Sequence, residues 1–305
     1  MPIQPVPVLP VVQVAPNVWF KRDDVYKPFA DTDMNGAKTY QCLNLIASHL
    51  DVIRQKHGST VYSDNFLESP QGPIVARVAH EYNLRCIIPV AADSLETALR
   101  HRSMQLVQSW GGEVVPVCKM GFALKSRATK LYGNKYFRVR FGMSSDSPTV
   151  QGSVVDPVRK QAQAFLGLPT ETMTLVVAVG SGVAFASLLV GMADHNVRFK
   201  RVVGVQIAGY DRTDTVSRIV TACGYGLAGD EMTALGFFQT NTSQVHPFDF
   251  VEDTQYPYAQ QVERTIGGVT LDSQYEAKAW DWAVREGVTK SPMVFYVVGN
   301  SNCLR

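Results

Sequence analysis

The stretch TLVVAVGSGVAFASLLVGMAD, residues 174–194, decides the fold. Its first part, 174–180, is a near-continuous apolar run, which is typical of a strand buried on both faces of a parallel sheet. Gly180 and Gly182 then predict a tight turn, and a helix is expected over 183–194. The amides and positive dipole end at such a helix start bind phosphate well. Taken alone, the turn fits a purely structural role about as well as a phosphate site.

The turn does not fit the common nucleotide motifs. It lacks the third glycine of a dinucleotide-binding site, and no acidic residue terminates the next predicted strand. No GK[ST] follows it, which excludes a P-loop. A phosphate-bearing cofactor other than a nicotinamide or ATP is therefore the better interpretation.

Outward from this stretch, the chain alternates short apolar runs with helix-like segments. The alternation begins near residue 38 and restarts after the segment MSSDSPT at 143–149, which predicts two α/β units with mostly parallel sheets. Such sheets bind ligands at the carboxyl ends of their strands, so a cleft between the units is the expected site. The predicted strands are 60–66, 85–91, 113–119, 136–142, 174–180, 201–209, 246–252 and 293–299, and the predicted helices are 39–57, 72–83, 94–110, 121–133, 153–166, 183–194, 211–223 and 274–287.

Composition argues against several classes of protein. The 305 residues are 46% hydrophobic, which is too apolar for a disordered chain. The 29 Lys and Arg residues against 27 Asp and Glu give a net charge of +2 without a basic stripe, so no extended nucleic-acid surface is expected. No apolar run approaches the roughly 20 residues of a membrane helix, so no membrane partner is expected. The five scattered cysteines form no CxxC pair or Cys/His cluster, which predicts a cytoplasmic location and no metal site.

The amino-terminal segment MPIQPVPVLPVVQVAPNVW, residues 1–19, is apolar and interrupted by prolines. Proline removes a backbone donor and disfavours helix, and the segment lacks the positive start of a signal peptide. We expect an extended arm that lies on the body of the protein or exchanges with a dimer partner.

Lys38, in DMNGAKTYQ (33–41), lies at the predicted start of a helix. A lysine amine forms Schiff bases with aldehydes, and a nearby helix start favours its reactive neutral form. By itself, a lysine at a helix start fits a solvated surface residue better. Its importance depends on the motifs elsewhere in the chain.

Four motifs occur in order along the chain: VWFKRDDVY (18–26), NGAK (35–38), GSGVA (180–184) and YEAK (275–278). In this set the chain resembles the fold type II enzymes that use pyridoxal 5'-phosphate (PLP). Within them it is most similar to the branch of 1-aminocyclopropane-1-carboxylate (ACC) deaminase and D-cysteine desulfhydrase.

The resemblance implies a tryptophan-synthase-β-like α/β fold with two open, mostly parallel domains and PLP in the cleft between them. The large domain would comprise residues 1–42 and 152–305, and the small domain residues 43–151. Relatives are usually dimers, which implies a homodimer.

On the cofactor side, the resemblance makes Lys38 the Schiff-base lysine of the family motif GGNK. Glu276 matches the glutamate that ACC deaminases direct at the pyridine nitrogen, where it would make PLP a strong electron sink; it could otherwise be an ordinary acidic residue in a first helical turn. Tyr275 matches a tyrosine that projects toward the substrate, and would act on a leaving group or simply pack in the cleft. The phosphate loop, usually GSGGT, matches Gly180, Ser181, Gly182, Val183 and Ala184, so main-chain donors would hold the phosphate.

On the substrate side, the chain departs from the family pattern. Ser69 matches the serine that receives the substrate carboxylate. Gln71 stands near the place where an asparagine normally binds the PLP 3'-oxygen, and Asn65 offers an alternative amide. Relatives end their last strand with HTGG; here Asn300 or Ser301 would replace the missing histidine.

The resemblance implies a PLP enzyme that acts at Cα of a small amino acid, as a lyase or deaminase. The products would be a 2-oxo acid and ammonia, with sulfide as well in the desulfhydrase case, and Glu276 favours the deaminase. One alternative is another PLP reaction, such as decarboxylation, β-elimination or replacement, on an amino-acid group attached to a larger molecule such as a modified nucleotide. Another is a non-catalytic protein that binds a phosphate ligand on the same fold.

Overall fold

The computed structural model of the protein describes residues 6–144, 148–207, 211–227 and 244–299. Within these ranges the strands form two principal sheets and one small hairpin. The strands are β1 (Val11–Ala15), β2 (Val18–Arg22), β3 (Thr60–Tyr62), β4 (Arg85–Ala91), β5 (Glu113–Cys118), β6 (Phe137–Arg138), β7 (Thr174–Val179), β8 (Arg201–Gln206), β9 (Asp249–Glu252), β10 (Thr265–Ile266), β11 (Val269–Thr270) and β12 (Met293–Val297).

The larger sheet has six strands in the order β1-β2-β12-β7-β8-β9, and the smaller has four in the order β5-β4-β3-β6. Neighbouring strands in both sheets run parallel, except that β1 is antiparallel to β2. The structure is therefore of the predicted α/β class with mostly parallel sheets. Each sheet lies within one of the two predicted domains, whose boundaries stay a prediction.

Helices connect the parallel strands, as such connections require. They are α1 (Gly36–Ser48), α2 (Leu50–Lys56), α3 (Gln71–Glu81), α4 (Leu95–Leu99), α5 (Arg102–Ser109), α6 (Gly121–Tyr132), α7 (Pro148–Arg159), α8 (Val183–Asp194), α9 (Thr213–Ala222) and α10 (Glu276–Arg285). The predicted helices 39–57 and 94–110 are each interrupted, near His49 and His101. Ser94 caps the start of α4, where its side chain accepts a hydrogen bond from the Thr97 amide.

The stretch 174–194 forms a strand, turn and helix as predicted. Side chains along β7 alternate between two apolar cores, as the period of a strand requires. Leu175, Val177 and Val179 pack into the core that includes α8, whereas Val176 packs into a second core with Trp280 of α10. This double burial explains the near-continuous apolar sequence and fixes the turn at the sheet edge.

The amino-terminal segment was expected to be an extended arm, either on the body of the protein or exchanged with a dimer partner, and the structure shows that part of it forms strands. Residues 11–22 form the hairpin of β1 and β2, and β2 pairs in parallel with β12 along Met293–Val297. Just before the hairpin, Gln161 accepts a hydrogen bond from the Leu9 amide at 2.8 Å and donates to the Pro7 carbonyl at 2.9 Å. The arm thus lies on the body of its own chain, and Pro10 and Pro16 flank β1 rather than interrupt it.

Candidate active site

A cavity of about 580 Å³ lies where the carboxyl ends of strands from both sheets meet. Its wall includes residues that follow β3, β6, β7 and β12, as expected for a ligand site in open parallel sheets. Most of the predicted site residues line it together: Lys38, Ser69, Gly180, Ser181, Gly182, Ala184, Tyr275 and Glu276. The remaining candidates of the described chain, Asn65, Gln71 and Val183, are buried beside it instead.

Lys38 is half-buried in the first turn of α1, and backbone packing sets its position. Gly36 has φ +79°, and a Cβ there would come within 2.6 Å of the Gly299 Cα. The Ala37 amide donates to the Val298 carbonyl at 2.8 Å. Helix α1 is therefore held against the end of β12, with the lysine facing the cavity.

Asn35 precedes this helix and also lines the cavity. Its side chain does not cap α1, and its buried Oδ1 atom has no hydrogen-bond partner among the residues that the structure describes. A buried acceptor without a partner costs free energy, so a donor from a bound molecule would stabilise it. Asn35 was not among the predicted site residues.

The glycine loop lies at the start of α8. Gly182 has φ +84°, a conformation that favours glycine, and it immediately precedes the helix. A Cβ at Gly180 would come within 3.0 Å of the Tyr275 ring, so glycine allows that ring to approach. The Ser181 hydroxyl donates to the Gly142 carbonyl at 3.0 Å, which joins the loop to the segment after β6. Amides in the first turn of a helix have no carbonyl of a preceding turn to bind, so this end of the cavity suits an anion.

Arg212 adds a positive charge beside this loop. Its Nε donates to the Gly180 carbonyl at 2.8 Å, and Arg212, Thr215 and Arg218 all line the cavity from the region of α9. Sequence reasoning placed a helix here but saw no motif in it. The arginine belongs to no recognised pattern, and only the fold brings it to the loop.

Glu276 is buried at the first residue of α10, with 2% exposure. Its two carboxyl oxygens accept hydrogen bonds from backbone amides, Oε1 from Gly299 and Oε2 from Asp272, both at 2.9 Å. Burial raises the pKa of Glu276 well above its usual range, and the nearby Asp272 carboxyl raises it further. The side chain thus holds the end of the last strand to the start of α10 and presents a proton-binding group to the cavity.

Tyr275 lines the cavity with a second tyrosine that sequence reasoning missed. The hydroxyls of Tyr258 and Tyr275 lie 2.7 Å apart. The buried Lys278 donates to the carbonyls of Pro257 and Tyr258, at 3.1 Å and 2.8 Å, and so ties the loop of Tyr258 to α10. No sequence motif surrounds Tyr258, so its proximity to Tyr275 is a consequence of tertiary packing.

The turn that carries Ser69 is fixed by Gln71. Ser69 lines the cavity, and its hydroxyl accepts a hydrogen bond from the Gln71 amide at 3.3 Å. The Gln71 side chain is fully buried; it donates to the Arg140 carbonyl at 2.8 Å and accepts from the Gly142 amide at 2.7 Å. It therefore joins this turn to the segment after β6.

Asn65, the other amide expected at the cofactor, is also fully buried. Its side-chain nitrogen donates to the Phe66 carbonyl at 2.9 Å, while its Oδ1 accepts from no donor in the described part of the chain. Whether Asn65 or Gln71 reaches the 3'-oxygen of PLP stays a prediction. The two residues expected to replace the family histidine, Asn300 and Ser301, lie outside the described residues.

Two other kinds of feature are absent from the described ranges. No group of three or more His, Cys, Asp and Glu side chains there could hold a metal ion. No helix in these same ranges has the length and apolarity needed to cross a membrane.

The sequence matches no protein-family model, and it matches none of the curated proteins. Its structure, however, is similar to solved structures over nearly the whole chain. An ACC deaminase homologue has a TM-score of 0.68 at 18% identity, over 97% of this chain and 91% of that one. Serine racemase from Dictyostelium discoideum has a TM-score of 0.57 at 12% identity, over 96% and 92%. A pyridoxal 5'-phosphate-dependent aspartate racemase has a TM-score of 0.53 at 13% identity, over 93% and 83%. The predicted fold, that of the fold type II enzymes, is confirmed.

Proposed function

We propose that the protein is a PLP-dependent enzyme that acts at Cα of an amino acid. One observation carries the proposal: a single cavity brings together the Lys38 amine, the glycine loop at the start of α8 and the buried carboxyl of Glu276. The structural neighbours support it, since one is named for its dependence on pyridoxal 5'-phosphate and another as an ACC deaminase homologue.

The residues present fit this cofactor. The loop amides and Arg212 offer donors and positive charge for a phosphate. Lys38 offers the amine for the aldehyde, and Glu276 offers a carboxyl for the ring nitrogen. The buried Oδ1 of Asn35, which has no hydrogen-bond partner in the described ranges, adds an acceptor for a donor on a bound molecule. The donor set thus matches an anionic, aldehyde-bearing, nitrogen-containing ring.

Different residues of the chain would then carry out different proton transfers of the reaction. When bound, PLP supplies an electron sink that stabilises negative charge at Cα of an amino acid. Glu276, with its raised pKa, would hold a proton at the edge of the cavity near Gly299. The amine of Lys38 would remove or return the proton at Cα, and the paired hydroxyls of Tyr258 and Tyr275 would donate a proton to a leaving group.

A lyase or deaminase is the form of this activity that we propose. A carboxyl at Glu276 keeps a ring nitrogen protonated, and the Tyr258–Tyr275 pair offers a hydroxyl for a departing atom. The altered turn of Ser69 and Gln71 leaves room for a second candidate, a PLP reaction on an amino-acid group attached to a larger molecule.

Covalent trapping tests the cofactor assignment. PLP-loaded protein should absorb visible light, and borohydride should fix the PLP to one lysine that mass spectrometry identifies as Lys38. Lys38→Ala should abolish the adduct, whereas Lys119→Ala, which removes a lysine whose side chain is 80% exposed, should retain it. A colourless protein without any lysine adduct would refute the proposal.

Exchange at Cα separates an enzyme from a binding protein on the same fold. In D2O, an enzyme that breaks the Cα–H bond reversibly exchanges that hydrogen for deuterium in the recovered amino acid, and one that goes on to product consumes the amino acid instead. We expect exchange with at least one amino acid in a panel, observed by NMR, and its loss in Lys38→Ala. Stable PLP binding without exchange or consumption of any amino acid would favour the non-catalytic alternative.

A further inference from the structure

Two phenyl rings line the cavity beyond the carboxyl ends of β3 and β6, and both are partly exposed. Phe66 is 52% exposed and Phe141 is 37% exposed. Their ring centroids lie 5.1 Å apart with the planes at 89°. Large apolar side chains exposed side by side in a cavity mark a surface that binds an apolar group.

The fold holds these rings in place. Phe66 follows β3 and Phe141 follows β6, and these strands are parallel neighbours, so their carboxyl ends lie together. The buried Gln71 binds the backbone on either side of Phe141, at Arg140 and Gly142. A Cβ at Gly121 would come within 3.3 Å of the Phe66 ring, so the start of α6 packs closely against that ring. The pair is a preformed surface rather than two mobile side chains.

The phenyl pair borders the place where an amino acid is expected. Phe66 and Ser69 belong to one tight turn, in which the Ser69 amide donates to the Phe66 carbonyl at 3.0 Å. Ser69 is the hydroxyl expected to receive the substrate carboxylate. A side chain that extends from Cα past this turn would therefore meet the rings.

Charge and geometry together indicate what that side chain carries. The exposed Glu68, in the same turn, also lines the cavity, and its charge disfavours an acidic group on the substrate side chain. The perpendicular phenyl rings offer a face from one and an edge from the other, which is the arrangement that aromatic rings prefer. We infer that the substrate is an amino acid whose side chain bears an aromatic ring, bound against Phe66 and Phe141. This inference rests on the proposed function, and it names a larger substrate than the sequence resemblance implies.

Carboxylates without an amine test this subsite, because they occupy the cavity without reacting. Calorimetry on PLP-loaded protein would compare 3-phenylpropionate, 3-cyclohexylpropionate and propionate. We expect the phenyl compound to bind at least about tenfold more tightly than propionate, because the ring is buried. It should also bind roughly two- to tenfold more tightly than the saturated ring, because stacking adds to area burial.

Variants test whether the two phenyl rings cause the preference for 3-phenylpropionate. Phe66→Ala should remove most of the preference for 3-phenylpropionate, and Phe66→Leu should retain apolar binding while it abolishes the preference for the flat ring. Phe122→Ala is the matched control, because this phenyl is 85% exposed and does not line the cavity. Phe141→Ala gives an independent second measurement.

The outcomes are distinct from those of the cofactor test. Protein that shows the Lys38 adduct but no phenyl preference would overturn the aromatic subsite and leave the PLP assignment intact. An equal loss of preference in Phe66→Ala and Phe122→Ala would also overturn it. If Phe66→Ala changes the oligomeric state in sedimentation without changing ligand preference, the rings belong to a subunit contact and the inference is wrong.

Discussion

The two sides of the cavity are built in different ways. The lysine wall, formed by Asn35, Lys38, the loop 180–184 and Glu276, is positioned largely by backbone: Gly36 and Gly182 adopt positive φ, and Glu276 binds two amides. The phenyl wall, formed by Phe66, Ser69 and Phe141, is positioned by the side chain of Gln71, which binds the backbone at Arg140 and Gly142.

This difference explains which side retains recognisable motifs. Positive φ and close backbone approach restrict a position to glycine. The residues of the lysine wall therefore lie in short, recognisable sequence motifs. A wall fixed by one buried amide leaves the residues that face the ligand open to change. The lysine wall would therefore determine the cofactor, and the phenyl wall would determine the substrate.

Replacing Gly36 by alanine should have the largest effect. The position combines φ +79° with a Cβ that would lie 2.6 Å from the Gly299 Cα, so α1 or the end of β12 must move. We expect a loss of about 3 kcal/mol in the free energy of unfolding, measured by urea denaturation, together with loss of PLP binding. Gly58→Ala is the control, since Gly58 has φ +56° and no atom of the described residues lies within 4 Å of its Cβ position. It should lose only about 1 kcal/mol. Equal losses would show that the close approach is unimportant.

Replacing Gln71 by alanine should displace the residues of the phenyl wall and leave the residues of the lysine wall in place. The change leaves the Gly142 amide and the Arg140 carbonyl without their partner in the interior. We expect a loss of about 2 kcal/mol in the free energy of unfolding. PLP should still attach to Lys38, but the preference for 3-phenylpropionate should decrease.

Gln105→Ala is the control for this change, because the Gln105 side chain hydrogen-bonds the Leu99 carbonyl at an exposed site. It should alter stability by less than about 0.5 kcal/mol. A Gln71→Ala variant that lost PLP and kept the phenyl preference would reverse the roles assigned to the two walls.

The sequence predicted the parts of this molecule that depend on local pattern. Strand β4 and helix α8 begin and end where predicted, at 85–91 and 183–194, because buried parallel strands are apolar throughout and the glycine turn marks the helix start. Strand β2 was not predicted, because it is stabilised by pairing with β12, which lies near the other end of the sequence. No local signal reports such a pairing.

The cavity shows the same division between local and tertiary information. Lys38 and Glu276 lie in motifs and were predicted at the site, where the structure brings them together. Arg212 and Tyr258 lie in no motif and reach the cavity through tertiary packing alone. Phe141 fell inside the predicted strand 136–142, but β6 ends at Arg138, so the ring belongs to the cavity wall and not to the sheet.

The smallest effect we predict is a pH dependence due to Glu276. Because burial raises its pKa, the folded protein without cofactor holds a proton that the unfolded chain has released above about pH 4.5. Raising the pH from there should lower the free energy of unfolding, by up to about 1.4 kcal/mol per pH unit, until the folded carboxyl ionises. Glu276→Gln should lack this part of the slope in urea denaturation measured across pH, whereas Glu171→Gln, at an exposed position, should keep it. Parallel slopes for the wild type and Glu276→Gln would mean that Glu276 ionises normally in the folded protein. In that case Glu276 would meet the ring nitrogen as a carboxylate, and the proton on that nitrogen would come from the cofactor or from solvent rather than from Glu276.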